Sequence, residues 1–317
     1  MPIPDTPAPS DTALPLPPRA PGHADQGRSG GGAAAQPVEV AAEVPVALVF
    51  NGISHADYRA LSDNPSRPQF NRAVLGGVAP GSTLKPFLYG MALDDGLIHS
   101  ESLLVDAPQS FSGYRPGNFD AAFNGPVGAA EALRLSLNVP AVDLLVRVGP
   151  ARFSARLANG GIELKYPTGG GPNLSMILGG TGVRLEELVG AFAAFNRAGV
   201  AGRVRYTEAD PVIDRRVMSP GAAWILREVL ESNPRPGYGL GTFDIGSRPR
   251  VAWKTGTSYG YRDAWAIGGT RRYTVGVWVG RPDGTPLPDD PRGQGNTREL
   301  HETTRMINSF AQGAALN

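Results

Sequence analysis

Pro80-Gly81-Ser82-Thr83-Leu84-Lys85-Pro86 is the stretch from which both the fold and the chemistry of this chain are read. Ser82 and Lys85 stand three apart at the head of an apolar run, Leu84, Phe87, Leu88 and Met91, whose spacing is helical. Residues three apart on a helix share a face, so the Lys85 amine comes within hydrogen-bond reach of the Ser82 hydroxyl. Pro80-Gly81 breaks the incoming chain and predicts a helix that starts at Ser82, where the positive end of the helix dipole favours developing negative charge. A serine hydroxyl is a weak nucleophile unaided; a lysine partly stripped of water can take its proton.

Ser-x-x-Lys is also a common tetrapeptide, and in 317 residues a chance match is expected more often than a catalytic pair. Composition separates the two readings. Of the 30 basic residues only Lys85, Lys165 and Lys254 are lysines, which leaves 27 arginines. Arginine does not lose its proton in proteins and cannot act as a base. A lysine kept at position 85 in so arginine-biased a chain points to a group that must deprotonate.

With 317 residues, 41% hydrophobic and 19% charged, the chain can bury a substantial core. A net charge of +1 argues against a nucleic-acid partner, which needs a basic stripe. Zero cysteines exclude disulfides, thiol catalysis and cysteine-ligated metals. His23, His55, His99 and His301 lie far apart, so no metal site is expected, and nothing in the chain calls for a cofactor. There is no apolar run of about 18 residues to span a membrane, and no basic start with an apolar core to act as a signal peptide.

Residues 1–45 hold ten of the 30 prolines, the run Gly30-Gly31-Gly32 and no aromatic residue, and read as a disordered linker or tail. Residues 46–317 read as the folded domain. Val46 to Phe50 is a candidate strand; residues 51–79 are irregular. The helix from Ser82 is expected to end near Gly96, followed by a long loop region over 97–127. Further helices are predicted at 127–135, from Pro140 to Val148, and at 150–158, 184–197 and 219–232. Strands are predicted at 250–254, 262–268 and 272–279, the last two joined by Gly269-Thr270-Arg271, and a closing helix over 297–311. Strand, helices, antiparallel strands and helix make an α+β pattern with sheet and helices in separate layers.

Two further motifs follow Ser82 in order: Ser136-Leu137-Asn138 in a break between helices, and Lys254-Thr255-Gly256-Thr257 on a strand. Taken singly, Ser136 and Asn138 could cap helices, and the second motif could be an ordinary strand end. Gly237-Tyr238-Gly239-Leu240-Gly241 follows no strand and opens no helix, so it reads as loop rather than nucleotide site. Trp253, Trp265 and Trp278 read as core, and Asp263 as structural.

Ser-x-x-Lys, Ser-x-Asn and Lys-Thr-Gly in this order resemble the penicillin-binding proteins and serine β-lactamases. Pro80 to Tyr89, Ala130 to Leu145, Leu178 to Gly199, Asn118-Phe119-Asp120 and Val251 to Gly269 are most similar to the transpeptidase domain of class A penicillin-binding proteins. The resemblance implies a penicillin-binding/serine β-lactamase-like fold, with helices packed on a five-stranded antiparallel sheet and the active site between layers. It implies a D,D-transpeptidase that acts on D-Ala-D-Ala stem peptides outside the cytoplasm and is acylated by β-lactams. By analogy, Ser82 is the nucleophile and Lys85 its base. Ser136 relays a proton, with Lys254 lowering the basicity of Lys85, and Asn138 holds the substrate amide. Lys254, Thr255 and Thr257 meet the terminal carboxylate, Gly256 gives close backbone approach, and the N–H groups of Ser82 and Thr257 form the oxyanion hole.

The glycosyltransferase domain and anchor of class A enzymes have no counterpart in the sequence, and the stretch from Asn51 to Arg72, with Pro65 and Pro68, does not match the family's second strand. Rival expectations are a serine β-lactamase, a D,D-carboxypeptidase, or a catalytically silent module that binds cell-wall peptides. No Glu-x-x-Leu-Asn type deacylating element lies between Lys165 and Asn173, which favours slow deacylation.

Overall fold

In a computed structural model the described residues are 46–48, 77–118, 122–205, 207–233, 250–280 and 285–286. Helix α1, Lys85–Asp94, has eight of its ten residues buried, from Lys85 to Ala92. A helix enclosed on nearly every side belongs to the interior of a domain. Around it lie α2 (Ala129–Arg134), α3 (Asn138–Val148), α4 (Pro150–Asn159), α5 (Leu185–Phe192) and α6 (Pro220–Glu231). Phe87 of α1 meets Phe192 edge-on at 5.3 Å and Phe195 at 5.2 Å, an arrangement aromatic rings favour.

Strands β6 (Ala252–Thr257), β7 (Asp263–Gly269) and β8 (Thr274–Gly280) form an antiparallel meander in the register Gly256↔Trp265↔Trp278. Strand β1, Val46–Leu48, lies beside β8 in parallel. The described sheet therefore runs β1-β8-β7-β6, four strands rather than five, with β6 at one edge. Ala252, Trp265 and Ile267 join the helical core, whereas Val251, Trp253, Ala266, Val275 and Val277 form a second apolar cluster. The alternation is the period-two signature of a sheet buried on both faces.

Several expectations need correction. Residues 97–127 contain strand β2, Leu103–Asp106, paired antiparallel with β3, Gly125–Gly128. Val127 is thus in a strand, and α2 begins only at Ala129. A second short pair, β4 (Val200–Gly202) with β5 (Asp214–Arg216), also escaped the sequence reading, because three-residue strands carry too little alternation to register. The linker 1–45, the stretch from Asn51 to Arg72, the loop from Gly237 to Gly241 and the helix expected over 297–311 lie outside the described residues.

Ser219, predicted to open a helix with Pro220, does so: its Oγ accepts from the Ala222 N–H at 3.1 Å. Ser219→Ala is expected to lower stability by about 1 kcal/mol, read as a shift in the urea midpoint with an unchanged slope.

Candidate active site

Ser82 does not start an α-helix. Gly81–Leu84 is a 3-10 turn that feeds directly into α1. Thr83 donates both its N–H and its hydroxyl to the Pro80 carbonyl, at 3.2 and 2.8 Å, which tightens the turn. The approach to Ser82 is clamped from two sides. The Trp265 indole N–H donates to Ala79 O at 2.8 Å, and the Val183 N–H donates to Val78 O at 2.9 Å. Gly81 has φ +54°, and a Cβ there would overlap the backbone of Thr257; a Cβ on Gly256 would overlap Pro80 O. Both glycines are needed because the serine turn lies directly against the outer edge of β6.

The Ser258 N–H donates to Asp263 O at 3.0 Å, which places Ser258, Gly256 and Lys254 on the backbone side bonded to β7. Thr255 and Thr257 therefore turn their N–H and C=O groups outward. Consistent with this, Thr255 O accepts from Lys254 Nζ at 2.9 Å and Trp253 O from Asn233 Nδ2 at 2.8 Å. The N–H of Ser82, at the start of a helical turn, has no partner among the described residues. The N–H groups of Ser82 and Thr257 are thus both without a backbone partner among the described residues. By strand alternation Lys254 and Gly256 face the helical layer, and Thr255 and Thr257 face the other side of the edge.

Ser136 holds the centre. Its φ is +59°, a left-handed conformation uncommon outside glycine and asparagine. That turn presents its carbonyl to Lys85 Nζ at 2.6 Å and its hydroxyl to Lys254 Nζ at 2.8 Å. Lys85 also donates to Leu137 O at 3.0 Å and to Asn138 Oδ1 at 2.7 Å. The alternative that Ser136 and Asn138 only cap helices does not hold: the cap of α3 is Leu137, without a side-chain bond, and Ser136 and Asn138 address the two lysines.

Three acceptors on the 136–138 loop use all three N–H groups of the Lys85 ammonium. The expected bond between Lys85 Nζ and Ser82 Oγ is accordingly not formed, and Ser82 Oγ bonds to none of the described residues. Once Lys85 loses a proton it keeps two donors for the three loop acceptors and gains a lone pair that can accept from a hydroxyl. Burial is the main force pushing Lys85 well below its ordinary range; the like charge of Lys254 acts second, and Asp106 opposes both. Repulsion from Lys254, the cause expected from the sequence, is thus the smaller one. Burial also brings Lys254 down to about 7.

Sequence reasoning missed Asp106, Asn118 and Asn124. Asp106, fully buried at the end of β2, accepts from Asn118 Nδ2 at 2.8 and 2.9 Å. Asn118 Oδ1 in turn accepts the Asn138 N–H at 2.8 Å. The only sequence signal was Asn118 within the family-like Asn-Phe-Asp. Asp263 fits its structural assignment, with Oδ1 taking the Trp278 indole N–H at 3.2 Å. Among the described residues no group of His, Asp and Glu could hold a metal ion.

The family model for the penicillin-binding protein transpeptidase domain matches residues 51–281. The chain is 55% identical over 214 residues to penicillin-binding protein 1C of Escherichia coli, covering 66% of this chain and 27% of that protein. It is 32% identical over 223 residues to penicillin-binding protein 1F of Bacillus subtilis, covering 63% and 30% respectively. The chain thus spans between a quarter and a third of these relatives. Among solved structures, PonA1 of Mycobacterium tuberculosis in complex with penicillin V shares the fold at a TM-score of 0.62, with 24% identity, 77% of this chain and 70% of that one covered. The transpeptidase domain of Burkholderia pseudomallei penicillin-binding protein 3 aligns at a TM-score of 0.58, with 20% identity, 79% and 82% covered.

Proposed function

The chain belongs to the family of penicillin-binding protein transpeptidase domains, and on that footing we propose that it is a serine-type peptidoglycan D,D-transpeptidase, acylated at Ser82 by stem peptides ending in D-Ala-D-Ala and by β-lactams. The observation that carries this reading is Ser136, where amines from two distant segments meet: Lys85 Nζ at its carbonyl and Lys254 Nζ at its hydroxyl, 2.6 and 2.8 Å away.

Neutral Lys85 takes the Ser82 Oγ proton as Oγ bonds to the penultimate D-Ala carbonyl carbon. The oxyanion forms between the outward N–H groups of Ser82 and Thr257. As it collapses, the C–N bond breaks and the departing D-alanine takes the Ser136 hydroxyl proton, which is made good by the proton that Lys85 took from Ser82. The stem peptide lies along the edge of β6 beside the serine turn, where the outward N–H and C=O groups of Thr255 and Thr257 can take up strand pairing and Gly256 allows close approach. Its terminal carboxylate meets Lys254, Thr255 and Thr257, and Asn138 holds its amide. A second stem-peptide amine then attacks the acyl carbon, the ester bond to Ser82 Oγ breaks, and the proton lost by the amine returns to Oγ as the cross-link forms. This chemistry belongs outside the cytoplasm, where peptidoglycan lies. No helix among the described residues is long and apolar enough to cross a membrane.

Intact-mass measurement after penicillin addition is expected to show one stable adduct on the peptide holding Ser82, absent in Ser82→Ala. Rapid turnover of penicillin would identify a serine β-lactamase instead, and no adduct a silent module. With a D-Ala-D-Ala peptide and an amine acceptor, hydrolysis without coupling would identify a carboxypeptidase.

A further inference from the structure

We propose that Asp106 is a positioning residue for acylation: through Asn118 its buried carboxylate fixes the 136–138 loop that seats the Lys85 amine. The proposal rests on the acylation reading above. Asp106 accepts from Asn118 Nδ2 on both oxygens, from the Asn124 N–H at 2.9 Å and from Asn124 Nδ2 at 2.9 Å. These partners are neutral amides, so the charge is buried without an ion pair among the described residues. A buried carboxylate is costly. An amide would serve a purely architectural role at lower cost.

The carboxylate also dictates which way Asn118 points. Asn118 Nδ2 donates to Asp106 and to Ala122 O at 2.9 Å, which leaves Oδ1 to accept the Asn138 N–H. A flipped amide would set donor against donor. With the first N–H of α3 thus pinned, the Asn138 side chain divides its groups: Nδ2 donates to Gly117 O at 2.7 Å and Oδ1 receives Lys85 Nζ. Asp106 reaches the amine by two amide steps and touches no substrate position. Its charge also acts on Lys85 directly. Of the charged groups around Lys85, Lys254 on β6 favours the neutral amine and Asp106 on β2 favours the ammonium, while Tyr89, one turn along α1, is itself held protonated by burial and by Asp106.

The test is the rate of acylation by a fluorescent penicillin across pH, on the full chain, with thermal unfolding as the check on folding. Asp106→Asn is expected to lower the plateau rate at least tenfold. It should also move the acid limb to lower pH, because loss of the negative charge lets Lys85 deprotonate sooner. Asn118→Ala, which keeps the charge, should lower the plateau similarly and leave the limb in place. A carboxylate whose charge did not reach Lys85 would move no limb, and the Asn118→Ala plateau separates loop positioning from that charge effect. The proposal is overturned if both variants acylate within twofold of the parent, or if Asp106→Asn leaves the limb unmoved; should Asp106→Asn not fold, a parent-like rate in Asn118→Ala overturns it. Failure of the parent chain to acylate would strike the proposed function instead.

Discussion

Lys85→Arg is expected to slow acylation of Ser82 by penicillin about 10²–10⁴-fold, the range that general-base catalysis supplies. Arginine keeps the positive charge and the donors that Ser136 O, Leu137 O and Asn138 Oδ1 accept. It lacks a lone pair to accept a proton near neutral pH. The substitution therefore separates the two things a lysine can do here, organising the loop as a cation and activating the serine as a base. The rate constant for adduct formation should fall while reversible penicillin encounter, read by competition at short times, stays near that of the parent. A variant that acylates within tenfold of the parent would remove Lys85 from the role of base. The arrangement without a Ser82–Lys85 bond makes this a demanding test, because the ammonium is committed to the loop and only the deprotonated amine can turn to the nucleophile.

Much of this site was legible because each motif carries its own local logic. Pro-Gly before Ser82 signals a turn into a buried helix. Lys254-Thr255-Gly256-Thr257 sits in a β-branched, aromatic context that predicts a strand, and Ser219-Pro220 marks a helix start that the structure bears out. What sequence could not supply was direction and distance between segments. The three-residue spacing of Ser82 and Lys85 predicts a bonded pair, yet Lys85 spends its donors on a loop more than fifty residues away. Burial is a property of the whole fold, so the larger cause of the lowered basicity of both lysines was invisible in the chain.

Asp106 leaves no mark in the chain for the same cause. A single aspartate in a turn-rich stretch has no periodic signature, and its partners Asn118 and Asn124 lie 12 and 18 residues on. Short strands such as β2 and β3 have too few alternating positions to stand out, and it is their pairing that brings the carboxylate under the 136–138 loop. The left-handed conformation of Ser136 is likewise unmarked, since neither glycine nor asparagine stands there to announce it.

Lys254→Met is expected to make the protein more stable near neutral pH, and to do so less and less as pH rises. Lys254 is buried, and its pKa falls from 10.5 in a solvated chain to about 7 in the fold. Between those values the unfolded chain binds a proton that the folded chain does not, so the parent gains stability with rising pH. The gain is roughly 3 kcal/mol between about pH 7 and pH 9.5, at about 1.4 kcal/mol for each pH unit over which only the unfolded lysine is charged. Methionine fills a similar space with no charge to desolvate. It gives up the bonds to Ser136 Oγ and Thr255 O, worth about 1 kcal/mol each, at every pH. Urea midpoints of parent and variant at the two pH values isolate most of the effect: the carboxylates keep their surroundings, and Lys85, which loses the like charge of Lys254 in the variant, keeps the larger lowering that burial causes. The comparison stops short of pH 10, where Tyr89, held protonated in the fold, begins to reverse the trend as the unfolded phenol ionises. A stability difference between variant and parent that is equal at both pH values would mean that Lys254 is not held neutral by burial, and the proton inventory of the site would have to be redrawn.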